Sequence, residues 1–192
     1  MRKTLATTVL TLAAGALLLA APPQAEAGSH SRRNGAPAVP RAWSPQVKSN
    51  RWECIVIHHS ATDFGGARRF DKGHKEKGWD DLGYHFVVGN GSDTRDGLVE
   101  VGPRWKEQRH GAHCRSPDDY YNEHGIGICL VGNFDEGPPS AAQTQNLTKL
   151  VRFLCRKYDI PASKVYTHGG VTHMTACPGK NFDLKGLRKS IR

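Results

Sequence analysis

Beyond residue 21 the 192-residue chain has no apolar run long enough to cross a bilayer, which excludes a membrane-spanning bundle in the remainder. No cysteine precedes Cys54, so a lipid-modified cysteine near the N-terminus is excluded as well. Acidic residues are almost missing from residues 1–50, one against six Lys and Arg, whereas residues 51–192 carry 17 acidic and 21 basic side chains. More than half of the +9 net charge therefore sits in the first 50 residues. The rest is too diffuse for a nucleic-acid groove and suits an anionic surface at most. No internal repeat is present, which removes solenoids and propellers.

The N-terminal stretch has a clear pattern. Arg2 and Lys3 precede a mostly apolar segment from Leu5 to Ala21, and Ala25-Glu26-Ala27 has the small-x-small form of a cleavage site. Residues 1–27 are read as a secretory signal peptide; the competing membrane anchor is disfavoured by the short, Ala/Thr-rich run and the cleavage site. Residues 28–50 are rich in Pro, Ser, Gly and Arg without apolar periodicity, the composition of a linker or loosely docked arm. The folded unit is expected over residues 51–192, in an exported protein: periplasmic, envelope-bound or extracellular. Cys54, Cys114, Cys129, Cys155 and Cys177 make an odd number of cysteines for an oxidising compartment. At least one thiol is left over, and a metal is a good reason for it. The remaining four allow three complete pairings, which the sequence does not choose between.

Periodicity gives the architecture. Glu53 to His58 reads as a buried strand, Ala67 to Lys77 as a short helix, and Tyr84–Val88 with Leu98–Val101 as a hairpin around a Gly/Asn/Asp-rich turn. Ile126 to Val131 is a further buried strand. Ser140 with Gln143 forms a capping-box pattern ahead of Leu147, Leu150, Val151, Leu154, Cys155 and Tyr158 at helical spacing. Val165–Thr167 is a short strand, and Asp183 caps a last helix from Leu184 to Ile191. This alternation predicts an α/β fold, a mixed central sheet flanked by helices, with active groups at strand ends and loops.

Chemistry-bearing residues gather at those ends. His58 and His59 stand in tandem at the end of the first strand, Tyr84-His85 opens the second, and His168 closes a late strand with Cys177 nine residues on. Two imidazoles and a thiolate are the donor set of an open catalytic zinc site. Adjacent strand residues point to opposite faces, so only one of the tandem histidines reaches a given site; spacing does not say which. His74 lies among lysines and reads as solvated, Trp79 as a packing residue, and Trp105 as either packing or sugar-facing.

The blocks IVIHHSAT (55–62), GWDDLGYHF (78–86), GAH (111–113), YNEHGIGICLVGNF (121–134) and THGGVTHMTACPG (167–179) occur in an order that resembles the zinc-dependent N-acetylmuramoyl-L-alanine amidases. That family shares its fold with peptidoglycan recognition proteins and phage lysozyme-type amidases. The resemblance covers residues 52–183 and implies a single domain of that fold. It also implies hydrolysis of the amide joining the lactyl group of N-acetylmuramic acid to L-alanine in peptidoglycan or muropeptides. His58, His168 and Cys177 match the family's zinc ligands, with Zn2+ the one cofactor. His59 becomes a neighbour. Tyr84 and Thr175 match residues that assist the water or the developing oxyanion. His113 and Asn122 match positions lining the glycopeptide groove.

Two departures stand out. The histidine-to-cysteine interval is nine where eight is common, and His-Gly-Gly (168–170) replaces His-Arg-Asp. Cys129 occupies a position where some bacterial members carry a glutamate base, and core packing is its expected role. The alternative function is a non-catalytic peptidoglycan-binding module. Such relatives typically lack the cysteine ligand, which is present here. A third reading, a metal- or disulfide-stabilised wall-binding domain, predicts unfolding on metal removal.

Overall fold

The computed structural model describes residues 39–192. The segment read as a signal peptide, and residues 28–38 of the linker, lie outside the described residues. Five strands form one sheet in the order β3-β2-β4-β1-β5. These are β1 (Cys54–His59), β2 (Phe86–Val88), β3 (Val99–Val101), β4 (Gly125–Leu130) and β5 (Val165–Thr167). β1 pairs in parallel with β4 and β5, β2 in parallel with β4, and β3 runs antiparallel to β2. The mixed α/β architecture expected from the sequence is the one observed. Among the described residues no helix is long and apolar enough to cross a membrane.

The sequence of β4, GIGICL, explains why one sheet face holds a core and the other a site. Ile126, Ile128 and Leu130 alternate with Gly125, Gly127 and Cys129, so one face is bulky and the other nearly bare. The bulky face joins Ile55 and Ile57 of β1 and takes the stripe of α4 (Ala141–Tyr158), where Leu147, Leu150, Val151 and Leu154 are buried. The capping box forms as read: Gln143 N–H donates to Ser140 Oγ at 3.0 Å, and Ser140 N–H donates to Gln143 Oε1 at 3.1 Å. Such a cap contributes about 1 kcal/mol. The bare face leaves depth for imidazole rings.

The remaining helices are α1 (Ala67–Glu76), α2 (Pro103–Glu107), α3 (Tyr120–Glu123), α5 (His168–Thr172) and α6 (Leu184–Ser190). α2, α3 and α5, of four or five residues each, are too short to leave a periodic pattern in the sequence. Packing also starts before Arg51. Trp43, within the stretch read as a linker or arm, is 6% exposed, and its carbonyl accepts from Trp105 Nε1 at 3.0 Å. Trp105 is fully buried, so it is a packing residue and presents no ring to a sugar.

Candidate active site

β1 carries His58 on the bare face and His59 on the other. His58 is buried beside Tyr84, His113 and His168, with ring centroids 5.2, 5.0 and 4.6 Å away. His59 turns its ring to Phe134, whose N–H donates to His59 Nδ1 at 3.2 Å. Its backbone N–H points at Cys177 Sγ, 3.3 Å away. One donor atom each from His58, His168 and Cys177 lie within 4.8 Å of one another, and this trio could hold a metal ion.

His168 is not the end of a strand but the first residue of α5, where Thr167 caps the turn by accepting from Gly170 N–H at 3.1 Å. The chain then returns to place Cys177 beside it. Gly169 N–H donates to the Cys177 carbonyl at 2.7 Å, and a Cβ on Gly169 would lie 2.3 Å from the Thr175 carbonyl oxygen. Position 169, where the family pattern has arginine, therefore has room only for glycine beside the Thr175 carbonyl. On the far side, Gly179 has φ +103°, and a Cβ would lie 2.4 Å from the Phe134 carbonyl carbon, so the turn after Cys177 is seated on the β4 end.

His113 does more than line a groove. It lies flat against β4, where a Cβ on Gly127 would lie 2.2 Å from its Cδ2. Its Nε2 is 3.2 Å from the Gly125 carbonyl and its Nδ1 is 3.1 Å from His58 Nε2. A carbonyl only accepts, so His113 holds its proton on Nε2 and offers a lone pair at Nδ1. His58 must then donate through Nε2, which leaves its Nδ1 lone pair free. A histidine donating its other ring N–H in this way is the usual setting of a metal ligand. Asn122 braces the loop that carries His113. Its Oδ1 accepts from the N–H groups of His113 and Cys114 at 2.8 and 2.9 Å, and its Nδ2 donates to Asp119 at 2.6 Å. That bracing needs no disulfide, and all five cysteines are free thiols.

Burial sets the protonation states. It pushes His58 well below 6.5, aided by His113 and His168, and takes His113 down to about 4. His168 is lowered by burial and by His59. The Cys177 thiol is raised by burial to about 11, opposed by the His59 N–H. At neutral pH the metal-free trio is two neutral imidazoles and a protonated thiol. Tyr84 is pushed well above 10 by burial, with Cys129 and Cys177 adding to it; its hydroxyl faces the Cys129 thiol. It therefore keeps its proton at neutral pH, so the hydroxyl can donate a hydrogen bond and is not available as a base. Thr175 accepts from Cys177 N–H at 3.2 Å, which leaves its O–H free toward the groove it lines.

His85 faces away from Tyr84, accepting from Gly127 N–H at 2.9 Å and placed 3.0 Å from the Arg109 carbonyl. Buried Arg104 ties together the loops before Tyr84 and His113 by donating to the carbonyls of Leu82 and His110 at 3.0 and 2.8 Å. Two expectations are overturned nearby. His74 is half-buried, accepting from Gly83 N–H at 3.0 Å, where Gly83 leaves room for the Ala112 carbonyl and the Trp79 ring. Trp79 is 42% exposed and lines the groove rather than the core. That groove, about 440 Å³, also receives His113, Asn122, His168 and Thr175.

Residues 48–180 match the family described as N-acetylmuramoyl-L-alanine amidase. The endolysin of Enterobacteria phage T3 is 38% identical over 141 residues, 69% of this chain and 83% of that protein. Among solved structures, the N-acetylmuramoyl-L-alanine amidase LysC from Clostridium intestinale URNW superposes with a TM-score of 0.64 at 30% identity, covering 74% of this chain and 86% of LysC. A point mutant of Drosophila PGRP-LB, solved in complex with tracheal cytotoxin, superposes with a TM-score of 0.55 at 25% identity, covering 73% of this chain and 86% of that one.

Proposed function

The chain belongs to the N-acetylmuramoyl-L-alanine amidase family and is a peptidoglycan amidase; from that premise we propose that it uses zinc, held by His58, His168 and Cys177, to cut the bond between the lactyl group of N-acetylmuramic acid and L-alanine. The observation that carries the metal reading is the meeting of three donor atoms within 4.8 Å, with His168 on the wall of the groove. The donor set suits zinc: two neutral imidazole lone pairs and a thiol, with the groove side left for a fourth position. When bound, zinc would supply Lewis acidity and lower the pKa of a water to about 7. His113 keeps the His58 lone pair aimed inward. Tyr84 and Thr175 offer hydroxyl donors to the amide oxygen as it takes on charge, and the walls of the groove hold the substrate in line. Action at the cell wall agrees with the signal-like residues 1–27.

The test is mass spectrometry of muropeptides incubated with the zinc-loaded protein and with a zinc-stripped sample. Release of free stem peptide by the loaded protein alone supports both the bond and the metal. Intact muropeptides with a folded, loaded protein overturn the bond assignment, and insoluble-wall pull-down would then test the binding-module reading.

Metal uptake should be proton-coupled in a specific way. The imidazoles are already neutral at pH 7, whereas the Cys177 thiol, at about 11, must lose its proton to bind. The thiol alone should make apparent zinc affinity rise about tenfold per pH unit up to about pH 7, with one proton released per ion, and ionisation of the bound water adds a second above that. Calorimetry at about pH 6.5 in two buffers of different ionisation enthalpy should count about one proton; zero would contradict a thiolate in the ligand set. Replacing His113 by alanine should weaken zinc binding by about 10–100-fold, because His58 loses the acceptor that fixes its tautomer. Competition with a chromophoric chelator measures it, and wild-type affinity in that variant would leave His113 with only a groove-lining role.

A further inference from the structure

The groove is lined by side chains of two kinds: Arg115 and Asp119 are charged, whereas Trp79 and Met174, the latter 73% exposed, are large and apolar. The Trp79 ring is held from behind. Its backbone N–H donates to the His74 carbonyl at 3.1 Å, and its ring lies 4.5 Å from the His74 imidazole at 35°. His74 is itself fixed by the Gly83 N–H, and its ring continues to Tyr84 at 5.7 Å. Gly83 is required for this arrangement, since a Cβ there would lie 3.0 Å from the Trp79 ring and 2.3 Å from the Ala112 carbonyl oxygen. A large indole left 42% exposed, yet braced on one face and linked through two rings to the site floor, is built to receive something on its other face.

We propose that Trp79, braced by His74, is the stacking surface for the 2-acetamido pyranose ring of the substrate. This rests on the amidase reading, in which the scissile bond has a sugar on one side and a peptide on the other. A stem peptide carries carboxylates and amines, which suit the charged Arg115 and Asp119 of the lining. A pyranose has no charge and presents a face of C–H bonds, which matches an indole. His74 is a positioning residue: it aims the ring and does not touch substrate.

The experiment compares hydrolysis of an N-acetylmuramoyl peptide with that of the N-lactoyl peptide of the same sequence, which keeps the scissile amide and lacks the sugar. The readout is the ratio of the two kcat/KM values. In Trp79→Ala that ratio should fall by about three- to tenfold, the scale of one aromatic stacking contact. In Trp79→Phe it should stay within about threefold of wild type, and in His74→Ala it should fall part of the way. An unchanged ratio in Trp79→Ala, or an equal loss on both substrates, overturns the proposal. If the wild type cuts neither substrate, the amidase reading fails on its own account, and NMR decides the platform separately. The indole N–H resonance that disappears in Trp79→Phe should shift on titration with the peptide-free disaccharide of N-acetylglucosamine and N-acetylmuramic acid. No shift overturns the sugar platform.

Discussion

Cys177→Ser is expected to lower kcat/KM on muropeptides by about 10³-fold or more and to reduce bound zinc to a small fraction of one ion per chain, while the protein still folds. The size of the loss follows from the several kcal/mol that Lewis-acid stabilisation supplies to such a reaction. The retention of fold follows from how the segment is anchored. Gly169 N–H bonds the Cys177 carbonyl, Asn181 N–H bonds the Phe134 carbonyl at 2.9 Å, and Thr175 accepts from the Cys177 N–H. None of these uses the sulfur. The two contacts that do, accepting from the His59 N–H at 3.3 Å and donating toward the His59 carbonyl at 3.9 Å, are both open to a serine hydroxyl. Serine is smaller and far harder to deprotonate, so it preserves the loop and fails as the third donor. Metal analysis, circular dichroism and thermal unfolding of the variant separate the two effects. A cooperative transition near that of the metal-free wild type is the expected outcome. A chain that cannot fold would instead assign the metal a structural role, as in a metal-stabilised wall-binding domain. Full activity with no zinc would remove the metal from the mechanism.

Much of this site was legible because its parts sit where regular structure ends. The apolar run into His58, the capping box at Ser140 and the stripe of α4 are periodic signals, and they appear within a residue or two of the expected places. The resemblance then singled out His58, His168 and Cys177, which the fold brings together. What the sequence hid was local and aperiodic. His74 looked solvated because its neighbours are lysines, but its environment is decided by Gly83, nine positions away and without a side chain to announce it. Trp79 looked like core because tryptophan usually is, and no pattern distinguishes a ring buried on one face from one buried on both. The bond between His113 and His58 depends on Gly127, visible in GIGICL only once the small and large alternation is read as two different faces. Trp43 lies in a segment whose composition gives no periodic signal, so its single anchoring ring went unnoticed.

The second large effect concerns Tyr84. Tyr84→Phe should lower kcat by about 10²–10³, the cost of removing one donor from a developing oxyanion, with KM and zinc affinity within a few-fold of wild type. The ring itself should not move. It packs against Leu82, Val87, Cys129 and Val131, an apolar cluster that phenylalanine fills equally well. The hydroxyl faces a neutral thiol, and burial holds its pKa well above 10, so deprotonation is not available at working pH. A general base at this position would have to titrate near neutrality to be useful. The kcat profile from pH 6 to 9 should therefore keep its shape in the variant and simply drop. Loss of one titrating limb together with the rate would make Tyr84 the base. A kcat within about fivefold of wild type would remove it from the chemistry and leave Thr175 as the hydroxyl donor to be tested. Parallel loss in kcat and kcat/KM is the signature of an interaction made only in the transition state. The phenol ring lies 5.2 Å from the ring of His58, and that signature would place its hydroxyl in the chemistry.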